Sequence, residues 1–233
     1  CWVRGERLKL SVKEHGLCLL LGLFLFCVNY GLFYTASLSL TTGLVSIVFS
    51  TMVFWNALGA RWLMKQPLDY RALAGGVIGI VGLMMLFWDE LLRFSWLDSG
   101  SAALILCLLG TLSASSGNLV SATLQQRSMS VWNSTAYGML YGTALTFGFA
   151  GLSNYPIRFE WTFFYVGSLL YLVIFGSVIA FGSYLTLVGR IGPGRAAYAT
   201  VAFPVVAILV SVLFEDYYLT PLALVAVALV VAG

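Results

Sequence analysis

Apolar residues in this chain do not alternate with polar ones; they run in long stretches separated by short charged clusters. Asp, Glu, Lys and Arg are absent from 15–60, 72–88, 99–126, 128–157, 161–189, 196–214 and 217–233. A bilayer core about 30 Å thick needs about 20 apolar residues as helix. Each of the later gaps therefore holds one span, and the first holds two, divided by the polar run from Ser37 to Gly43. The pattern predicts eight helices, over about 16–36, 43–64, 70–88, 99–124, 131–152, 162–188, 195–214 and 219–233. Strands of a membrane barrel would alternate over roughly ten-residue segments, so the fold class is an all-α, polytopic membrane bundle.

Composition agrees. Of 233 residues, 61% are apolar and 9% charged, against roughly a quarter charged in soluble chains. A net charge of +3 is too small for a nucleic-acid binder. Trp62, Trp88, Trp96, Trp132 and Trp161 all fall at expected span ends, where the indole sits half dry with its N–H hydrated. Orientation follows from the cationic loops. Arg4, Arg7, Lys9, Lys13, Arg61, Lys65, Arg71, Arg127, Arg190 and Arg195 fall on one side, and only Arg93 and Arg158 on the other. The basic side, with residue 1 and the C-terminus, is expected to be cytoplasmic. No cleavable signal peptide is visible. The chain opens on Cys1 inside a cationic loop and its last span is short, so both ends read as cut.

Chemistry is sparse. Cys1, Cys18, Cys27 and Cys107 lack metal-ligand spacing and are expected as free thiols packed like small apolar residues. The single histidine, His15, is expected as a solvated flank residue at the cytoplasmic interface. A membrane-embedded enzyme would need convergent nucleophiles, bases or metal ligands, and none converge here. No catalytic residue, metal or cofactor is expected. What the spans do carry is polar stripes at helical spacing: Thr111, Ser115, Asn118 and Gln125; Tyr30, Tyr34 and Ser37; Ser46 and Ser50; Tyr137 and Tyr141; Ser177 and Tyr184. Asn29 and Asn56 lie off their helices' stripes. Such a stripe in lipid needs a partner helix or a wet cavity. Pro204 is a candidate helix break, and Gly75xxxGly79 and Gly138xxxGly142 are candidate close helix contacts within the bundle, with a homodimer seam as the alternative.

Sliding the chain by about 150 residues places Tyr184 under Tyr34, the Gly192-Pro193-Gly194 turn near Thr41-Thr42-Gly43, and Glu215-Asp216 under Lys65-Gln66. Each copy reads helix, polar turn, helix, charged hinge, Gly/Ala-rich helix. The first hinge is basic and the second acidic, so the copies are expected on opposite sides, as inverted repeats.

On those residues the chain resembles the EamA-type permeases of the drug/metabolite transporter superfamily. The first copy carries the resemblance in Tyr34-Thr35-Ala36-Ser37, the Lys65-Gln66-Pro67-Leu68 hinge and the helix from Gly75 to Gly82. The second carries it in Gly192-Pro193-Gly194-Arg195, Pro204 and Glu215. Lys65-Gln66 departs from the acidic residue this family often has at the first hinge. The resemblance implies ten helices in two inverted five-helix repeats, of which eight are seen here: 1–92, the last three helices of the first, and 93–233, the second with its last helix shortened. It implies a transporter of small metabolites working by alternating access, in a bacterial inner membrane. An uncharged, aromatic cavity suggests neutral or zwitterionic solutes such as amino acids or drug-like aromatics. Candidate substrate contacts are Tyr30, Tyr34, Ser50, Asn56, Thr111, Ser115, Asn118, Tyr137, Tyr141, Tyr184, Tyr198 and Pro204. A membrane-embedded enzyme or a non-transporting structural membrane protein is the alternative.

Overall fold

The computed structural model describes residues 9–94, 99–152, 159–214 and 220–232. Among these the structure is helical: α1 Val12–Ser37, α2 Thr42–Leu63, α3 Tyr70–Leu86, α4 Trp88–Arg93, α5 Ser99–Gln126, α6 Val131–Leu152, α7 Phe163–Ile191, α8 Pro193–Ala196, α9 Tyr198–Phe214 and α10 Pro221–Ala232. Four of these, α1, α2, α5 and α7, are long and apolar enough to cross a membrane by themselves. The Glu215-Asp216 hinge, Trp96, Arg4, Arg7 and Arg158 lie outside the described residues.

Polar side chains start the helices. Ser11 and Glu14 form a reciprocal capping box at the head of α1, with Ser11 N–H donating to Glu14 Oε2 at 2.6 Å and Glu14 N–H to Ser11 Oγ at 3.3 Å. Thr41 caps α2, Asp69 caps α3, Thr162 caps α7 and Thr220 caps α10. Gly192, at φ 87°, supplies the left-handed turn that lets Pro193 open α8.

The helices differ from expectation in four places, the first being α4, a short helix over Trp88–Arg93 where one helix over 70–88 was expected. The capping box extends α1 outward past the apolar stretch, as far as Val12. The span expected at 195–214 is instead two helices, α8 and α9, broken at Ala197. Pro204 does not break the helix: α9 runs through it. A proline inside a span removes one backbone donor, here the one facing the Thr200 carbonyl, and neighbouring helices hold the rest together.

His15 is a further correction. It is not a solvated flank residue but half-buried, with Nδ1 2.7 Å from Tyr141 Oη and its ring edge-on to Tyr137 at 5.5 Å. The cause is the close approach of α1 and α6, where a Cβ on Gly22 would lie 2.5 Å from the Gly138 carbonyl oxygen and 2.7 Å from the Gly142 nitrogen. Two helices that close bring the aromatic side chains of one under the polar head of the other.

The two copies share a local irregularity that periodicity does not disclose. The middle of α1, Gly22–Val28, and the middle of α7, Leu172–Ile179, are both π-helical, and they lie about 150 residues apart, the offset of the repeat. A π turn leaves carbonyls without their i+4 donor, and in α1 Ser113 Oγ donates to the Phe24 carbonyl at 2.8 Å. The third helices of the copies, α3 and α10, pack on each other through small residues, a Cβ on Gly82 falling 2.8 Å from the Ala226 carbonyl. Three of the four Gly-xxx-Gly residues make close contacts inside the bundle: Gly79 against Val201, Gly138 against Leu21 and Gly142 against Phe26. Cys18, Cys27 and Cys107 are free and buried.

Candidate functional site

Two cavities enter the bundle from opposite ends. The hinge-end cavity, about 1130 Å³, lies between the 64–73 hinge, the end of α5 and the 186–195 turn. The turn-end cavity, about 550 Å³, lies between α1, α2, α5, α7 and α9, near the 37–41 turn. It is lined by Tyr30, Phe33, Tyr34, Phe49, Phe181, Tyr184 and Phe203, with Asn29, Ser37, Ser46, Asn118 and Thr200 as polar groups and, among the described residues, no charged side chain.

A septum about one helical turn thick separates them. Met52, Asn118 and Tyr184 line the turn-end cavity, whereas Val53, Ala57, Ala122 and Val188 line the hinge-end one. Four residues of helix rise about 6 Å, so on α5 and α7 one turn divides the cavities. Within the septum Asn118 Nδ2 donates to Tyr184 Oη at 3.0 Å and lies 3.2 Å from Met52 Sδ. Asn56 Nδ2 donates to the Pro193 carbonyl at 3.0 Å, and its amide also faces the Tyr184 hydroxyl. Both asparagines are fully buried, and the Oδ1 of each has no hydrogen-bond partner.

Each end carries a polar latch. At the hinge end Arg195 Nε and Nη2 both reach Asp69 Oδ2 at 2.6 Å, while Asp69 Oδ1 accepts from the Arg71 and Ala72 N–H groups. The Arg195 hydrogen bond, aided by the Ala72 N–H, holds the Asp69 carboxyl below its usual range. At the turn end Thr41 Oγ1 donates to Glu90 on α4. In each case the turn before the second helix of one copy is tied to a residue flanking α3.

The structure gathers Tyr30, Tyr34, Asn118 and Tyr184 in the turn-end cavity, with Tyr30 and Tyr34 stacked at 6.1 Å. It places the other candidates apart. Asn56 lies inside the septum. Ser50 Oγ donates to the Ser46 carbonyl at 2.8 Å, Thr111 Oγ1 to the Cys107 carbonyl at 3.0 Å, and Tyr198 Oη to the Val230 carbonyl at 2.6 Å. Ser115 and Pro204 are buried in their helices, and Tyr137 and Tyr141 meet His15 instead of the cavity. Gln125 of the α5 stripe is on the hinge-end side, donating to the Leu185 carbonyl at 2.8 Å. Thr200, Met52 and the phenylalanine walls were not among the sequence candidates. Thr200 had a signal: it stands 150 residues after Ser50. The phenylalanines had none, since an apolar residue facing a cavity and one facing lipid read alike.

A profile of the EamA-like transporter family matches residues 1–88 and 101–233. The chain is 23% identical over 220 residues, 90% of this chain and 69% of the relative, to a protein of Escherichia coli (strain K12) named "Probable amino-acid metabolite efflux pump". It is 25% identical over 211 residues, 87% of this chain and 69% of the relative, to the "Uncharacterized transporter YoaV" of Bacillus subtilis (strain 168). A Salmonella typhimurium protein of the same name as the first is 26% identical over 229 residues, 94% of this chain and 73% of the relative. With its α-helical membrane bundle and both segments matched, the chain belongs to the EamA-like transporter family.

Proposed function

We propose that the protein moves a small neutral or zwitterionic solute, such as an amino acid or a drug-like aromatic, by alternating access between repeats 1–92 and 93–233. The observation that carries this reading is the septum: two cavities entering from opposite ends and divided by one turn of packing. A carrier needs such a thin, movable layer, because exposing a midplane site to either side then takes a small helix displacement. The amino-acid efflux names of two relatives support the substrate class. The cluster of Arg61, Lys65, Arg71, Arg127, Arg190 and Arg195 at the hinge end supports a cytoplasmic position for that end in a bacterial inner membrane. In this reading the turn-end cavity faces outward, with Tyr30, Tyr34, Asn118 and Tyr184 contacting the solute. The other sequence candidates shape and seal the path.

Counterflow with the full-length protein in liposomes tests this. Neutral and zwitterionic solutes are expected to exchange, and exclusive exchange of polyanions would refute the substrate class. Asn118→Leu is expected to abolish exchange while leaving expression intact; unchanged exchange would reduce Asn118 to interhelical packing.

A further inference from the structure

Resting on the carrier reading and narrowing its substrate class, we infer that the septum recognises a compact N–H donor, a primary amine or amide, on an apolar or aromatic body, and takes solutes that also carry a free carboxylate, free amino acids among them, less readily. The hydrogen bookkeeping points there. Asn118 commits its amide protons to Tyr184 Oη and Met52 Sδ, and the Tyr184 hydroxyl points to Met52 Sδ at 3.8 Å. Asn56 commits its amide to the Pro193 carbonyl. What remains at the septum is acceptor capacity: the two unpartnered oxygens, Asn118 Oδ1 and Asn56 Oδ1, on side chains with no exposed surface. An amide oxygen accepts and cannot donate, so the group that satisfies it brings its own hydrogen.

Two features restrict the rest of the solute. Among the described residues no charged side chain lines the turn-end cavity, so a carboxylate that sheds its water there meets no cation among them. Its aromatic walls offer an apolar body large contact area, and their ring faces attract an ammonium. Access to Asn118 is guarded by Met52, a flexible thioether and a weak acceptor that a stronger donor displaces at little cost.

The test compares four probes on the full-length protein in liposomes: phenethylamine, phenylalanine amide, phenylalanine and 3-phenylpropionate. Labelled phenethylamine is expected to show counterflow. Phenylalanine amide should compete with it at concentrations at least tenfold lower than phenylalanine and 3-phenylpropionate. Because Asn118→Leu is expected to lose exchange, its ranking is read from binding of the four probes to the purified variant, where it should flatten. Asn118→Asp keeps an acceptor and should retain the ranking, as should Asn56→Asp, so the test survives if the leucine variant does not fold. Equal competition by 3-phenylpropionate, or an unchanged ranking in Asn118→Leu, overturns the inference while the carrier reading stands. Exchange of alanine with none of the four aromatic probes does the same. If no solute exchanges above empty liposomes, both readings fall.

Discussion

At the scale of single residues, glycines separate seams from open faces. Gly22 sits where an added Cβ would meet the backbone of Gly138 and Gly142 at 2.5 and 2.7 Å, atoms that cannot rotate aside. Gly22→Ala is therefore expected to lower stability by about 1–3 kcal/mol, the usual cost of overpacking. Gly31 lies in the same helix with nothing within 4 Å of the same position. Gly31→Ala should stabilise by up to about 1 kcal/mol through helix propensity. Thermal unfolding of both variants in one detergent checks the pair, and equal shifts would contradict the packing. The two unpartnered septum oxygens cost about 1–3 kcal/mol each in a protein interior, so Asn118→Leu should unfold no earlier than wild type even where transport is lost. Little of this was readable from the chain. Asn118 stood out as a polar residue on a stripe, but its partner Tyr184 is 66 positions away and on another helix.

At the scale of elements, the π segments in α1 and α7 set which faces the following turns present. Each residue of a helix turns it by about 100°, so inserting an alanine after Val28, beyond the one extra residue that the π segment already absorbs, should swing the Asn29–Ala36 segment around. Tyr30 and Tyr34 would leave the cavity. Counterflow is expected to be lost while the protein stays monodisperse on size exclusion. Ser113→Ala removes only the hydroxyl that serves the Phe24 carbonyl and should cost about 0.6 kcal/mol, the average for such a bond between membrane helices. Helix positions were legible from the charge gaps, because about 20 apolar residues can do little else than span. The π segments were not: a wider turn keeps the same composition and shows only once neighbouring helices hold it.

At the scale of the whole molecule, the latches at the two ends tie turn to hinge in the manner expected of gates. Arg195 to Asp69 is the better defined. A carboxyl held below its ordinary range contributes stability that is fully present above the unfolded value of about 4 and is lost as pH falls through the lower folded value. The latch should therefore hold across neutral pH and open only in acid. Asp69→Arg and Arg195→Asp should each impair counterflow, and the double exchange should recover most of it. An additive double variant would mean the two residues act separately. Because the pair is partly exposed, its effect should weaken as salt rises.

By itself the sequence determined that the protein is an all-helical membrane bundle, where most of its helices fall, and that its two halves repeat. These are properties of length, hydropathy and order along one chain, and lipid enforces them locally: a backbone in hydrocarbon must bond to itself, and a charge must stay near water. Tertiary structure alone decided the rest. It paired His15 with Tyr141 across 126 positions and Asn56 with the Pro193 carbonyl across 137. It also brought four of the twelve candidate side chains to one cavity. Polar residues on separate helices can satisfy one another in many combinations of similar energy. The close approach of small residues at the helix seams selects the combination that forms.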